Sequence, residues 1–287
     1  MPRRASPVGV YDSGYGGLTV LRELRRTLPA LDYVYLGDSG RAPYGGRDVN
    51  TILDFAEQCA ERLFAEGCRV IVVACHTVSC VALRHLQHRF GSDEHRILGV
   101  TIPAAEAAVA QTRGHIGFIG TARTVASGTF RTEVRKLDTS VRVSEVAAPL
   151  LAPIVEETWE DTDLARLAVQ RYLVAFEDID TLVLGCTHYP LLARAFAETA
   201  PPGLAILNPA PQVAARFAEW RTRHPSFAEE ASGDLRVLSS GDGMRFAKHA
   251  ARFLGEPPPR VEHVAEHRGR LTVCPDDGEP LGQFVRG

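Results

Sequence analysis

Lysine is nearly absent from this chain. Its 287 residues hold Lys136 and Lys248 alone, within 32 basic side chains, so arginine carries almost all the positive charge. Neither lysine stands at a strand end beside a phosphate-binding loop. A pyridoxal Schiff base, which needs such a lysine, is disfavoured. The formal net charge is -3 and no long block of one sign occurs, so the charge pattern offers nothing to nucleic acid. No apolar run approaches the roughly 20 residues of a membrane span. The opening MPRRASPVGVYDSG has two arginines but no apolar stretch of the secretory kind. These absences lead to the expectation of a cytoplasmic protein with no membrane or nucleic-acid partner. No C-x-x-C pair occurs among Cys59, Cys68, Cys75, Cys80, Cys186 and Cys274. Reduced thiols are the better reading in a chain of this length without a signal peptide.

What is present is alternation. Residues 7–11 read as a short buried strand. Residues 16–29 carry Leu18, Leu21, Leu24 and Leu28 on one helical face, with Pro29 as a stop. A strand is expected over 32–38, an amphipathic helix over 49–67 closed by Gly67, a strand over 69–75 and a helix through 78–90. A second series starts near 96–100 and brings strands at 115–120, 141–146 and 180–186, with a helix over 164–178. Such βαβ order predicts parallel sheets with helices on both faces. The fold class is α/β, with two similar lobes and a site in the cleft between them, although no sequence identity marks a repeat. The expected lobes are 1–98 plus 209–264 and 99–208, with 265–287 as a peripheral tail.

Two strands end alike. VIVVACHT (70–77) runs into Cys75, His76 and Thr77, and TLVLGCTHYP (181–190) into Cys186, Thr187 and His188. In parallel sheets, functional loops lie beyond the carboxyl ends of strands. Four readings fit the residues. Cys75, His76, Cys80, Cys186 and His188 could serve zinc, but adjacent residues rarely reach one ion together. One thiol activated by a histidine would make a hydrolase and leave the other thiol idle. Both cysteines could be inert and buried. Two thiols in facing lobes could instead invert a carbon centre, one taking a proton as thiolate while the other delivers one as thiol.

GVYDSGYGGLTVLREL, YLGDSGRAPYGGRD, VVACHT, IGFIGTARTVASGTF, PIVEE and LVLGCTHYPLL, in this order, resemble the bacterial glutamate racemases of the cofactor-independent aspartate/glutamate racemase superfamily. The resemblance spans residues 8 to about 264. It implies interconversion of L- and D-glutamate for peptidoglycan, with no cofactor and no metal. Racemisation of another acidic amino acid, such as aspartate, and a racemase-like protein that binds without turnover are the alternatives. It implies Cys75 and Cys186 as paired acid/base thiols, Asp12 beside Cys75, and His188 and Glu156 beside Cys186. Ser13, Pro43, Tyr44, Gly45, Thr77, Thr121, Thr124 and Thr187 would hold the substrate. For Asp12, Thr121 and Thr124, helix capping is the plainer alternative. A homodimer is among the expectations. Two positions depart from the family pattern: His76 stands where Asn is usual, and Asn208-Pro209 where Asp-Ser is common. A charged His76 would lower the Cys75 pKa, so forward and reverse turnover are expected to differ near pH 6–7.

Overall fold

The computed structural model describes residues 6–274; the amino-terminal arginine pair and residues 275–287 lie outside it. In chain order the elements are β1 (Val8–Asp12), α1 (Leu18–Thr27), β2 (Tyr33–Gly37), α2 (Val49–Ala65), β3 (Val70–Val73), α3 (His76–Val81), α4 (Leu83–Phe90) and β4 (Arg96–Gly99). Next come α5 (Thr101–Gln111), β5 (His115–Gly120), α6 (Ala122–Ser127), α7 (Thr129–Leu137), β6 (Arg142–Ala147), α8 (Leu151–Glu156), α9 (Asp163–Leu173) and β7 (Thr181–Gly185). The chain ends with α10 (Ala193–Thr199), β8 (Ala205–Leu207), α11 (Ala210–Arg223), β9 (Leu235–Ser239), α12 (Gly243–Leu254), β10 (Val261–His267) and β11 (Arg270–Val273).

These strands form two sheets, one of seven strands in the order β11-β10-β9-β2-β1-β3-β4 and one of four in the order β6-β5-β7-β8. Every pairing is parallel except the edge hairpin β10–β11. The central strands β1, β2, β3 and β7 are buried along their whole length, as apolar runs covered on both faces must be. The chain crosses between the sheets through α5 and returns through α11, which packs on both α1 and α5. Asn208 sits at the return, its side-chain oxygen accepting the Ala210 N–H at 3.1 Å.

Local chemistry explains the helix ends. Asp48 caps α2 by accepting the Thr51 N–H, and Gly67 follows in the left-handed region at φ +88°, a conformation that favours glycine. Arg25 and Arg26 lie in the last turn of α1, where a cation suits the helix dipole.

Three expectations need correction. Residues 96–99 do not open the second lobe; β4 pairs with β3 at the edge of the first sheet. The helix expected over 78–90 is two helices that meet at Ala82, and the first already begins at His76. The segment from Ala265 is, in its described part, the end of β10 and the edge strand β11 rather than a detached tail. The two sheets are also unequal in size.

The leucine stripe of α1 faces the core, with Leu18, Leu21 and Leu24 all fully buried. Leu21→Ala is therefore expected to lower the unfolding free energy by about 2–5 kcal/mol, through lost transfer energy and a residual cavity. Urea unfolding measures it, and a loss below about 1 kcal/mol would show that this face is not core.

Candidate active site

The registers bring the functional ends together. Tyr11 pairs with Val73, so Asp12 and Cys75 leave the first sheet at the same edge. Gly120 pairs with Gly185, so Thr121 and Cys186 leave the second sheet in the same way. A cavity of about 50 Å³ lies between these edges. Its walls include Ser13, Tyr44, Cys75, His76, Thr77 and Thr121 on one side and Glu156, Cys186, Thr187 and His188 on the other. Pro43 and Gly45 also line it. Among the described residues, no lysine or arginine does. Larger hollows, of about 200, 330 and 450 Å³, lie around α4, α5 and α11, and none of them is lined by both Cys75 and Cys186.

Cys75 takes the residue position just before α3 and is buried. Its sulfur lies 3.4 Å from the Ser13 hydroxyl. Burial, reinforced by the Asp12 carboxylate, pushes this thiol up to about 12, so it is protonated near pH 7. Cys186 has a different neighbourhood. His188 Nδ1 lies 3.8 Å from its sulfur, and His188 Nε2 is 3.0 Å from Glu156. Burial opposes charge on His188, but the bonds to Cys186 and Glu156 outweigh it and raise the imidazole to about 10. Burial likewise opposes charge on Glu156, and the bond from His188 wins, lowering that carboxyl. The neighbouring Glu157 is exposed.

Asp12 is fully buried, and burial raises its pKa. It does not cap α1, whose first-turn boundary is Gly17 with no side-chain cap. It accepts the Gly14 N–H at 2.9 Å and, across the cleft, the Thr187 hydroxyl at 3.4 Å. Thr121 does cap α6, and it also joins Thr77 and Thr124 in a triangle of hydroxyls with sides of 2.8–3.1 Å. Tyr44 departs from expectation. Its hydroxyl is held by Asp38, with Tyr11 donating to it at 3.2 Å, so the ring lines the cavity without offering its oxygen.

The five suggested metal ligands do not converge. Cys80 faces one of the other hollows, its sulfur 3.4 Å from the Thr101 hydroxyl. Among the described residues, no three metal-ligating side chains gather at one point. Some contributors were not legible in the sequence. Arg252 on α12 donates to the Val155 carbonyl at 3.1 Å and pairs with Glu160, which brackets Glu156. Phe253 places its ring edge-on to His188, with centroids 5.2 Å apart. The DSGYGG run itself carried one usable signal: a Cβ added at Gly16 would lie 2.1 Å from the Thr187 hydroxyl, and one at Gly17 would lie 2.5 Å from Asp12.

His76 is 4% exposed, and neither ring nitrogen has a hydrogen-bond partner among the described residues. Burial pushes it down to about 4, so the ring is neutral near pH 7. The imidazolium expected beside Cys75 runs against this burial, which favours the neutral ring.

Two α/β lobes bring one thiol each to a single cleft. The chain belongs to the Asp/Glu/hydantoin racemase family, which it matches over residues 13–217. It is 38% identical over 262 residues to the glutamate racemase of Syntrophus aciditrophicus, covering 90% of this chain and 96% of that one. The crystal structure of a glutamate racemase isoform from Bacillus anthracis superposes with a TM-score of 0.86 at 34% identity, covering 93% and 100% of the two chains. The Francisella tularensis glutamate racemase in complex with D-glutamate superposes with a TM-score of 0.85 at 26% identity, covering 91% and 98%.

The buried His76 makes a stability prediction. Its pKa falls from about 6.5 unfolded to about 4 folded. Its stabilising effect is therefore complete above the unfolded value and is lost as pH falls toward the folded one. Between pH 8 and 4.5 the native protein should lose about 2–3 kcal/mol more than His76→Asn does. Urea unfolding at both pH values measures this, and equal losses in the two proteins would contradict a buried neutral imidazole.

Proposed function

We propose that the protein racemises glutamate by proton transfer between Cys75 and Cys186 on opposite faces of Cα. The observation that carries this reading is the pair of thiols bordering one cavity from two lobes. Their inequality sets the direction of the first step. Cys186, whose sulfur lies 3.8 Å from the His188 ring nitrogen and whose His188 neighbour is backed by Glu156, would remove the α-proton of one enantiomer. Cys75, held as a thiol, delivers its proton to the opposite face. The Cα–H bond breaks toward Cys186 as the Cys75 S–H bond breaks toward Cα, and the roles exchange for the other enantiomer.

For the reverse direction Cys75 must first lose its proton. Asp12, 2.9 Å from the Gly14 amide and hydrogen-bonded to Thr187, is the group we assign to the substrate ammonium. An ammonium held there would offset the carboxylate that raises Cys75 and favour its thiolate. The hydroxyls of Ser13, Thr77, Thr121, Thr124 and Thr187, with backbone N–H groups of Gly45 and of the strand-end turns, would hold the two carboxylates. Tyr44 and Pro43 would shape the loop that presents them.

The boundary near 208/209 fits this cleft, while β4 carries the first lobe through Gly99 rather than 98, and β10 and β11 close that lobe. No described helix is long and apolar enough to cross a membrane. A cytoplasmic enzyme supplying D-glutamate to peptidoglycan is the setting the reading implies, and sedimentation would decide whether it works as a homodimer.

Chiral chromatography of L- and D-glutamate and of L- and D-aspartate after incubation tests the substrate. Glutamate should reach a racemic mixture and aspartate should not. Cys75→Ala and Cys186→Ala should each lower racemisation by at least 10³-fold, as loss of a required acid or base does. Cys68→Ala should leave it intact. Near-normal turnover in both directions by either of the first two variants would contradict the two-thiol mechanism.

A further inference from the structure

We propose that His76 is the cavity's proton acceptor for substrate charge: binding of glutamate draws a proton from solvent onto the His76 imidazole, and the imidazolium so formed faces a substrate carboxylate. The inference rests on glutamate being the substrate.

The first ground is geometry. His76 lines the cavity beside Cys75, and both its ring nitrogens are buried without a partner among the described residues. Leaving a buried polar group unpaired is unfavourable, so two unpaired nitrogens in a cavity wall call for a partner in that cavity. An imidazole has two nitrogens that differ in role, and only the cationic ring donates from both. A carboxylate offers acceptors alone, so it favours the doubly protonated form.

The second ground is charge. The cavity and its immediate wall hold the carboxylates of Asp12 and Glu156 against one imidazolium, His188. Glutamate adds two carboxylates and one ammonium. A net negative ligand would thus enter a net negative, desolvated site lined by no described lysine or arginine. One proton from water restores part of the balance, and His76 is the neutral base already in the wall.

The surroundings leave His76 to supply it. The titratable groups sharing its cavity are Cys75, Tyr44, Glu156, Cys186 and His188, with Asp12 behind Thr187. Several of the charged groups on the helices packed against α3 have partners elsewhere. Glu57 of α2 pairs with His85 of α4, Arg84 of α4 and Lys136 of α7 pair with Glu133, and Glu106 of α5 pairs with Arg216. Arg123 of α6 donates to the Arg47 carbonyl at 2.8 Å. Burial is what holds His76 near 4. A carboxylate within about 4–6 Å raises a pKa by about 1–3 units, which brings the bound ring to roughly 5–7.

The sign follows from linkage: a ligand that takes up a proton binds more weakly as pH rises. Glutamate affinity should fall by up to about tenfold per pH unit between the free and bound values, then level off. Calorimetry with an equimolar mixture of D- and L-glutamate avoids heat from turnover. At pH 5.5, comparing acetate with a buffer of high ionisation enthalpy, binding should take up roughly 0.2–0.9 proton. His76→Asn and His76→Gln should take up much less. In the unmodified protein, nitrogen NMR should move one histidine from the neutral to the doubly protonated signature on adding glutamate, and this reading stands even if the variants misfold. Heats that do not depend on buffer, uptake unchanged in both variants, or no histidine shift would each overturn the inference while leaving glutamate as substrate. Absence of any glutamate binding would overturn both.

Discussion

A hydroxyl of one lobe meets a carboxylate of the other, and the site depends on that meeting. Thr187 donates to Asp12, and Thr19 donates to the Thr187 carbonyl at 3.3 Å. No methyl fits between the lobes at Gly16. This contact sets how closely the carboxyl edges of the two sheets approach, and therefore where Cys186 stands relative to Cys75. Both glycines of the turn after β1 serve the same approach: Gly17 leaves room for Asp12, Gly16 for Thr187 and His188. The α12 helix completes it from outside, with Phe253 against His188 and Arg252 on the Val155 carbonyl.

Once the lobes are set, low dielectric does the rest. The two thiols lie in one cavity, yet they differ in their partners. Asp12 and burial keep Cys75 protonated, while Cys186 stands beside a hydrogen-bonded imidazolium. In the proposed reaction an unsymmetrical pair would serve a symmetrical conversion, and the substrate's own ammonium and carboxylates would enter the charge balance. Hydroxyls and the His188 imidazolium line the cleft, and among the described residues no lysine or arginine does.

Much of this was legible in the sequence because it is local. Buried parallel strands read as apolar runs, and each ends where the polar residues begin, so Cys75, Cys186, His188 and Asp12 could be placed at strand ends without coordinates. Glu156 could be proposed from resemblance alone; its 3.0 Å contact with His188 spans 32 residues. What escaped was long-range. Arg252 and Phe253 reach the site from a helix that follows it by some 65 residues, and nothing in their local pattern signals the contact. The direction of the Tyr44 hydroxyl depends on Asp38 and Tyr11. His76 shows the limit most clearly: its presence was evident, but its charge depends on burial, which only packing decides. The edge strand β11 and the break at Ala82 were missed because neither carries a strong periodic signal.

The central claim is that two thiols act from opposite faces, and hydrogen bookkeeping at Cα tests it most directly. In D₂O the resting thiol of Cys75 carries solvent deuterium, while the proton removed by Cys186 stays on the other face. Starting from protiated glutamate of either hand, early product of the opposite hand should carry deuterium at Cα, and the unreacted substrate should stay protiated. Product that retains its original α-hydrogen would mean a single base returning the same proton, and would contradict the account.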